Sequence, residues 1–90
     1  MYECKTVWPG EQVDVFTNVF SFPPIGYPCY LENMGYSRIK YRKVIFKSAP
    51  LGWAREVAPF ERIDFTIEMG TVIRVENIGE THTVACCGYA

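Results

Sequence analysis

Hydrophobic and polar residues alternate with a period of two along most of the chain, which is typical of β-strands with one buried face. The clearest case is the segment 60–69, in which Ile63, Phe65 and Ile67 alternate with polar residues. Seven glycines and six prolines divide the chain into segments of strand length. Because no uninterrupted segment shows helical periodicity, the pattern predicts an all-β protein.

Six further strands follow from the same alternation. They are predicted at residues 2–7, 12–22, 29–32, 36–47, 71–76 and 81–87. Segment 12–22 is apolar on both faces, so we expect a strand that is central or that faces a partner chain. Segment 36–47 changes phase near Arg42 and Lys43, which predicts a β-bulge. A helical turn is favoured only at 51–58, where Pro59 would end it.

The chain also contains a faint internal repeat. Residues 7–15 align without gaps on residues 57–65, with Val, Pro, Glu and Asp at matched places. Residues 31–35 align on residues 75–79 through a shared sequence of Glu, Asn, an apolar residue and Gly. Because Asn and Gly tolerate a positive φ, we expect tight hairpin turns at both places.

Two explanations of this repeat are open, namely an ancestral duplication and the convergence of short turn sequences. Duplication predicts two pseudo-symmetric three-stranded halves, 7–48 and 57–90, within one β domain that covers residues 1–90. The cadence of residues 9–13 followed by 32–35 is similar to that of immunoglobulin-like β-sandwich modules in general. The predicted fold class is therefore all-β, a small β-sandwich or barrel of six to seven strands.

Composition and charge exclude some classes of function. The 90 residues are 49% hydrophobic with a net charge of -1, so the chain can form a core and has no global field that attracts nucleic acid or anionic lipid. No apolar stretch approaches the length of a membrane span, and the first residues do not read as a secretory signal peptide. We expect synthesis in the cytoplasm and no membrane partner.

Four cysteines and one histidine are the candidates for metal or redox chemistry. They are Cys4, Cys29, His82, Cys86 and Cys87. The cysteines form either disulfides or, as the lack of a signal peptide favours, free thiols that pack as small hydrophobic groups. There is no CxxC or HxxxH pair, and adjacent strand residues such as Cys86 and Cys87 point to opposite faces, so we expect no metal site. No catalytic residues and no cofactor are predicted.

Five of the nine basic residues lie within ten positions, in the predicted strand 36–47. One face of that strand would carry Tyr36, Arg38, Lys40 and Arg42. An aromatic ring beside alternating cations is one way in which a sheet binds single-stranded nucleic acid. Because the rest of the chain is acidic, we favour a solvated outer face that deters edge pairing or docks an acidic partner.

An aromatic and proline-rich segment is the second candidate surface. Its residues are Phe22, Pro23, Pro24, Ile25 and Tyr27. Prolines reduce the entropy that a loop loses on docking, so this segment predicts an interaction loop. Alternatively, the nearby aromatic rings belong to the core and only the proline turn is exposed.

These patterns favour a non-enzymatic structural or interaction subunit of a larger assembly. A virion decoration or tail protein that forms homo-oligomers or covers a protein shell fits this description, by analogy. Two alternatives are a small inhibitor or adaptor that docks on a host protein and a single-stranded nucleic-acid binder that uses the basic residues 38–47.

Overall fold

The computed structural model describes residues 2–17, 26–45, 52–68 and 70–90. Their regular elements are eight β-strands: β1 Tyr2–Val7, β2 Gln12–Thr17, β3 Tyr27–Asn33, β4 Ile39–Ile45, β5 Arg55–Val57, β6 Arg62–Ile67, β7 Thr71–Asn77 and β8 Thr83–Tyr89. The all-β prediction is confirmed, but six to seven strands was too few. None of these ranges contains a helix long and apolar enough to cross a membrane.

The strands form two antiparallel sheets of four strands each. Sheet A has the order β1-β8-β3-β6 and sheet B has the order β2-β7-β4-β5. Consecutive strands therefore cross from one sheet to the other, except β4 and β5, which pair with each other. This order differs from that of immunoglobulin domains, in which the first two strands are neighbours. The predicted hairpins at 31–35 and 75–79 are wrong, because both segments connect strands of different sheets.

The two halves of the chain interleave instead of forming separate three-stranded units. Strands β2 and β6 begin 50 positions apart, and β3 and β7, like β4 and β8, begin 44 positions apart. Matched strands also pair in the same register: Val7 lies opposite Thr83 in sheet A, and Val57 lies opposite Ile39 in sheet B. Residues equivalent in the repeat thus occupy equivalent places in the two sheets.

Strand β2 is an edge strand, not a central one, because β7 is its one neighbour in sheet B. A shift of register between Asp14 and Phe16 marks a bulge, which allows Val15 and Phe16 both to be buried. The bulge thus accounts for the apolar character of both faces in the described part of segment 12–22, which ends at residue 17.

The bulge predicted near Arg42 and Lys43 is absent from the pairing of β4 with β7, which runs without a shift from Ile39 to Ile45. The apparent change of phase arises because Lys43 occupies an inward position, where its Nζ donates to the carbonyl of Thr66 at 2.6 Å. The helical turn predicted at 51–58 is also wrong in its described part, since β5 occupies 55–57.

The core lies between the facing sides of the sheets. It is built from aliphatic side chains of both sheets, with Leu31, Ile39, Ile67 and Ile73 among the largest that are fully buried. The ring of Tyr41 from sheet B stacks on Phe65 of sheet A with centroids 5.3 Å apart. Burial of large apolar side chains on alternate strand positions is the main stabilising contribution.

Candidate interaction surface

Two equivalent turns, after β1 and after β5, lie at the same end of the sandwich. In the first, the N–H of Glu11 donates to the carbonyl of Trp8 at 2.9 Å, with Pro9 and Gly10 between them. Proline followed by a residue with positive φ is the signature of a type II turn, and Gly10 has a φ of 78°. The carboxylate of Glu11 in turn accepts the N–H of Trp8 at 3.1 Å, which closes the turn.

The second turn repeats these bonds at residues 58–61. The N–H of Glu61 donates to the carbonyl of Ala58 at 3.1 Å, and the Glu61 carboxylate accepts the N–H of Ala58 at 2.9 Å. Here the positive φ falls on Phe60, at 62°, which is the sole non-glycine residue with positive φ in the described ranges. A side chain in this conformation costs roughly 1–2 kcal/mol of strain.

Two buried asparagines at the same end tie the turns to the remaining loops. The Nδ2 of Asn33 donates to the carbonyls of Ser37 and Val57 at 2.7 and 3.3 Å. Its equivalent, Asn77, donates to the carbonyls of Val7 and Thr81 at 2.8 and 2.7 Å. Each asparagine therefore joins the loop that follows its own strand to the end of β1 or β5, and this end of the molecule is rigid.

The oxygens of the two asparagines are also satisfied. Oδ1 of Asn33 accepts the Thr83 hydroxyl at 2.6 Å, and Oδ1 of Asn77 accepts the Ser37 hydroxyl at 2.6 Å. Each oxygen accepts a second bond from the N–H of the glycine two residues later, Gly35 or Gly79.

Gly35 and Gly79 allow a neighbouring hydroxyl group to approach the main chain closely. They do not have the positive φ that was predicted. The described glycines with positive φ are Gly10 and Gly70. A Cβ at Gly35 would overlap the Thr83 hydroxyl, and one at Gly79 would overlap the Ser37 hydroxyl. The shared Glu-Asn-apolar-Gly sequence is thus a signature of a buried hydrogen-bond network.

On this rigid end lie five of the six large hydrophobic residues that are exposed in the described ranges. We call the following set the four-loop surface: Trp8, Met34, Tyr36, Phe60, Ile78 and His82. Tyr36, 82% exposed, meets Phe60 edge-on with ring centroids 4.8 Å apart. The ring of Trp8 lies 5.1 Å from that of His82. Exposed aromatic rings concentrated on one patch mark an interaction site more often than scattered ones do.

A groove crosses this surface between the β3–β4 and β7–β8 loops. Its walls include Met34 and Tyr36 on one side and His82 and Val84 on the other. The main chain holds the two walls together, since the N–H of Met34 donates to the carbonyl of Val84 at 2.7 Å. The groove is mostly apolar and suits an apolar side chain of a partner.

Of the predicted proline-rich loop, Tyr27 alone belongs to the part of the chain that the structure describes. Phe22, Pro23, Pro24 and Ile25 lie outside the described residues. Tyr27 is the half-buried first residue of β3, and its ring lies 6.3 Å from that of Tyr89. The proposal of an interaction loop at this place therefore stays a prediction.

The residues of the predicted basic face have different surroundings. Tyr36 precedes β4, and its ring meets Phe60 of the four-loop surface. Lys40 and Arg42 lie on the outer face of sheet B, where Trp53 covers both. Arg38 and Lys40 face carboxylates, with Arg38 3.9 Å from Glu56. Three of the predicted residues thus share a sheet face whose charge is mixed.

The cysteines take both of the states considered from the sequence. Cys4 and Cys86 form a disulfide between β1 and β8, so free thiols throughout was wrong. Cys29 and Cys87 are free and buried in the core. Burial, followed by the nearby Cys29, raises the pKa of the Cys87 thiol to about 12, and burial also raises the pKa of Cys29. Such thiols are protonated and inert near neutral pH.

Sequence reasoning missed most of the four-loop surface. Trp8, Met34, Phe60, Ile78 and His82 are isolated in the sequence and converge only through the topology. One signal was present in the repeat, where Phe60 stands at the place that Gly10 occupies in the first half. An aromatic residue at the glycine position of a turn after proline is a local conflict, and such conflicts are expected at functional sites.

The sequence matches no protein-family model and no curated protein. Solved structures resemble it in fold. The cupin domain of CENP-C from Drosophila melanogaster matches over 100% of this chain with 12% identity and a TM-score of 0.64. The chain spans 60% of the length of that protein chain, which has also been solved bound to CAL1.

Two other structures match over nearly their whole length. PirA matches with 20% identity and a TM-score of 0.70, over 99% of this chain and 93% of its own. A de novo designed double-stranded β-helix matches with 17% identity and a TM-score of 0.63, over 100% and 99%. Likeness at such low identity establishes the fold alone: two antiparallel four-stranded sheets arranged as in cupin domains and the double-stranded β-helix.

Proposed function

We propose that this chain is a non-enzymatic protein-interaction domain that binds a protein partner through the four-loop surface. The observation that carries the proposal is the exposed pair of Tyr36 and Phe60, 4.8 Å apart, on a backbone that is strained at Phe60. Burial of this pair against a partner would offset the strain, because aromatic residues in rigid, central positions contribute most to binding.

The edge strands of both sheets are protected against pairing with a strand of a partner. This favours binding through the loops. Strand β1 has Glu3 and Lys5 at inward positions, and β2 has its bulge. Strand β5 has three residues, and on β6 the carbonyl of Thr66 is capped by Lys43. Inward charges, bulges, short strands and lysines are the devices by which proteins prevent edge pairing.

The CENP-C cupin domain, solved in complex with CAL1, is an example of this fold in a protein complex. The fold therefore suits the proposed role. The choice of surface does not come from that neighbour and rests on the residues of this chain alone. A homo-oligomer, or a subunit that decorates a virion shell, is the narrower form of the proposal. In that form the partner is a further copy of this chain or a shell protein, and the same surface is buried.

Photo-crosslinking tests the proposal. We replace Tyr36 with p-benzoylphenylalanine in cells of the natural source, and as a matched control we replace Tyr2, which is also exposed but lies on β1. We expect position 36 to label one defined protein, excess unlabelled wild-type protein to compete, and Phe60→Ser to weaken the product. Equal labelling from both positions, or none from position 36, would contradict the proposal.

Light scattering of the purified protein tests the narrower form. Self-association through the four-loop surface predicts a mass that rises with concentration in the wild type and stays monomeric in the double variant Tyr36→Ser, Phe60→Ser. A monomer at every concentration would exclude the homo-oligomer and leave the photo-crosslinking test of a different partner unaffected.

A further inference from the structure

The outer face of sheet B carries a cluster of cations that shares no residue with the four-loop surface. Among the described residues, four cations lie on or beside this face, and three of them have a carboxylate partner. Arg38 lies 3.9 Å from Glu56, Lys40 lies 3.9 Å from Glu76, and Arg74 lies 2.7 Å from Asp14. The fourth is Arg42, which has no carboxylate within salt-bridge distance in the described ranges.

The surroundings of Arg42 make the lack of a counter-ion costly. Arg42 lies directly opposite Arg74 in the pairing of β4 with β7, and like charges in that position destabilise a sheet. Its Nε is buried and has no hydrogen-bond partner among residues 2–17, 26–45, 52–68 and 70–90. A buried donor without a partner costs roughly 1–3 kcal/mol.

Trp53 holds the guanidinium in place. The Cζ of Arg42 lies 4.5 Å from the centroid of the Trp53 ring, and the Nζ of Lys40 also lies 4.5 Å from it. An arginine that stacks on an aromatic ring keeps its planar fork of N–H donors in a fixed orientation, and that fork matches a carboxylate. Arg42 is therefore pre-organised for an anion that the described residues do not supply.

On sheet A, Arg62 also stacks on an aromatic ring, but it has a carboxylate partner. Arg62 stacks on Tyr30 at 4.2 Å, and its Nη2 lies 3.3 Å from Asp64, which is on the same strand. The two sites share an arginine on an aromatic ring and differ in whether the chain provides the carboxylate. Arg62 is thus a matched control for Arg42.

We infer that Arg42, Trp53 and Lys40 form a docking site for an acidic side chain of a protein partner. A carboxylate would bind end-on to the Arg42 fork, with Lys40 as the second cation. It would give Arg42 the counter-ion that Arg74, opposite it, already has in Asp14. The site is independent of the four-loop surface, so each can fail without the other.

NMR with a probe peptide tests this inference. A capped hexaglutamate peptide is titrated into ¹⁵N-labelled wild-type protein, with capped hexaglutamine as the neutral probe. We expect saturable shifts of the Trp53 indole N–H and of the Arg42 and Arg74 amides with hexaglutamate and none with hexaglutamine. The apparent affinity should fall as NaCl is raised, because the contact is an exposed ion pair.

Variants then locate the site. Arg42→Gln should weaken hexaglutamate binding by at least about tenfold, the loss expected for a charge-assisted hydrogen bond. Arg62→Gln should bind as the wild type does, and Arg42→Lys should retain part of the affinity because it keeps the charge without the fork. The unshifted remainder of each spectrum shows that the variant is folded.

Three results would overturn the inference. They are the absence of saturable shifts in the wild type, unchanged binding by Arg42→Gln, and a response to single-stranded oligothymidylate without a response to hexaglutamate. The last result would return the basic face to nucleic-acid binding.

Discussion

Strands β1 and β5 occupy equivalent edge positions in the two sheets, yet they are attached differently. Strand β1 pairs with β8 over six residues and is joined to it by the disulfide between Cys4 and Cys86. Strand β5 pairs with β4 over three residues and has no such bond in the described ranges. Trp53, two residues before β5, lies over the side chains of Lys40 and Arg42 instead.

The comparison shows that the two halves share a frame and differ in what is built on it. Register, type II turns and buried asparagines are repeated, because they satisfy the main chain where strands cross between sheets. The disulfide, the exposed aromatic pair and the Trp53 site have no second copy related by the repeat among the described residues. Residues that are not repeated are therefore the best candidates for function and for local stabilisation.

Removal of the disulfide should have the largest effect on stability. The cysteines are 82 positions apart, and a cross-link over a loop of that length stabilises a fold by up to about 4 kcal/mol. We expect the double variant Cys4→Ala, Cys86→Ala to lose about this much free energy of unfolding in urea. A reductant should lower the stability of the wild type and leave the double variant unchanged. A loss below about 1 kcal/mol would mean that β1 is held by its pairing alone.

The sequence predicted the shared frame better than the differences between the halves. Alternation identified seven of the eight strands, and the repeat aligned residues 7–15 with 57–65, which the structure places in equivalent turns and strands. The strand β5 was missed because three residues are too few to show a period of two. Sheet order was missed because similar strand sequences fit both hairpins and crossovers.

The candidate site was largely beyond the sequence for a physical reason. Trp8 and His82 are 74 positions apart, and their contact exists only because β1 and β8 pair in the folded chain. The pairing of Cys4 with Cys86 likewise follows from register, which no count of cysteines gives. The sequence did point to Tyr36, but it grouped Tyr36 with the cations of β4 and not with Phe60.

Loss of either buried asparagine should be the next largest effect and should be equal in the two halves. Asn33→Ala leaves the carbonyls of Ser37 and Val57 without their donor, and Asn77→Ala does the same to Val7 and Thr81. We expect each variant to lose about 3 kcal/mol of unfolding free energy, measured by urea denaturation. If one variant lost less than half as much as the other, the frame would not be equivalent in the two halves.

Stability at alkaline pH should depend on Cys87, which occupies the place in β8 that Lys43 occupies in β4. Both occupy inward positions, but only Cys87 is a thiol whose pKa burial raises, from 9.0 to about 12. The unfolded chain releases this proton first, so stability should fall as pH rises above 9, by up to about 1.4 kcal/mol per pH unit for each such thiol. Cys29, whose pKa burial also raises, contributes in the same direction.

The variant Cys87→Ala should therefore show a shallower loss of stability than the wild type between about pH 9 and pH 10. Urea denaturation at each pH measures the slope, independently of the constant cost of the cavity that the smaller side chain leaves. Identical slopes in the two proteins would show that the Cys87 thiol ionises as easily in the native state as in the unfolded chain.

The smallest effect concerns the two turns and tests whether Phe60 is strained. Phe60→Gly and Phe60→Ala remove the same ring contact with Tyr36, so the difference between them reports the backbone alone. With a φ of 62° at this position, we expect Phe60→Gly to be more stable than Phe60→Ala by about 1 kcal/mol. In the first half, Gly10→Ala should lose a similar amount, because φ is 78° there and a Cβ would contact nothing. Thermal and urea unfolding measure all three variants. Equal stability of the two Phe60 variants would show that the turn at 58–61 relaxes to a negative φ, and the strain on which the interaction surface depends would not exist.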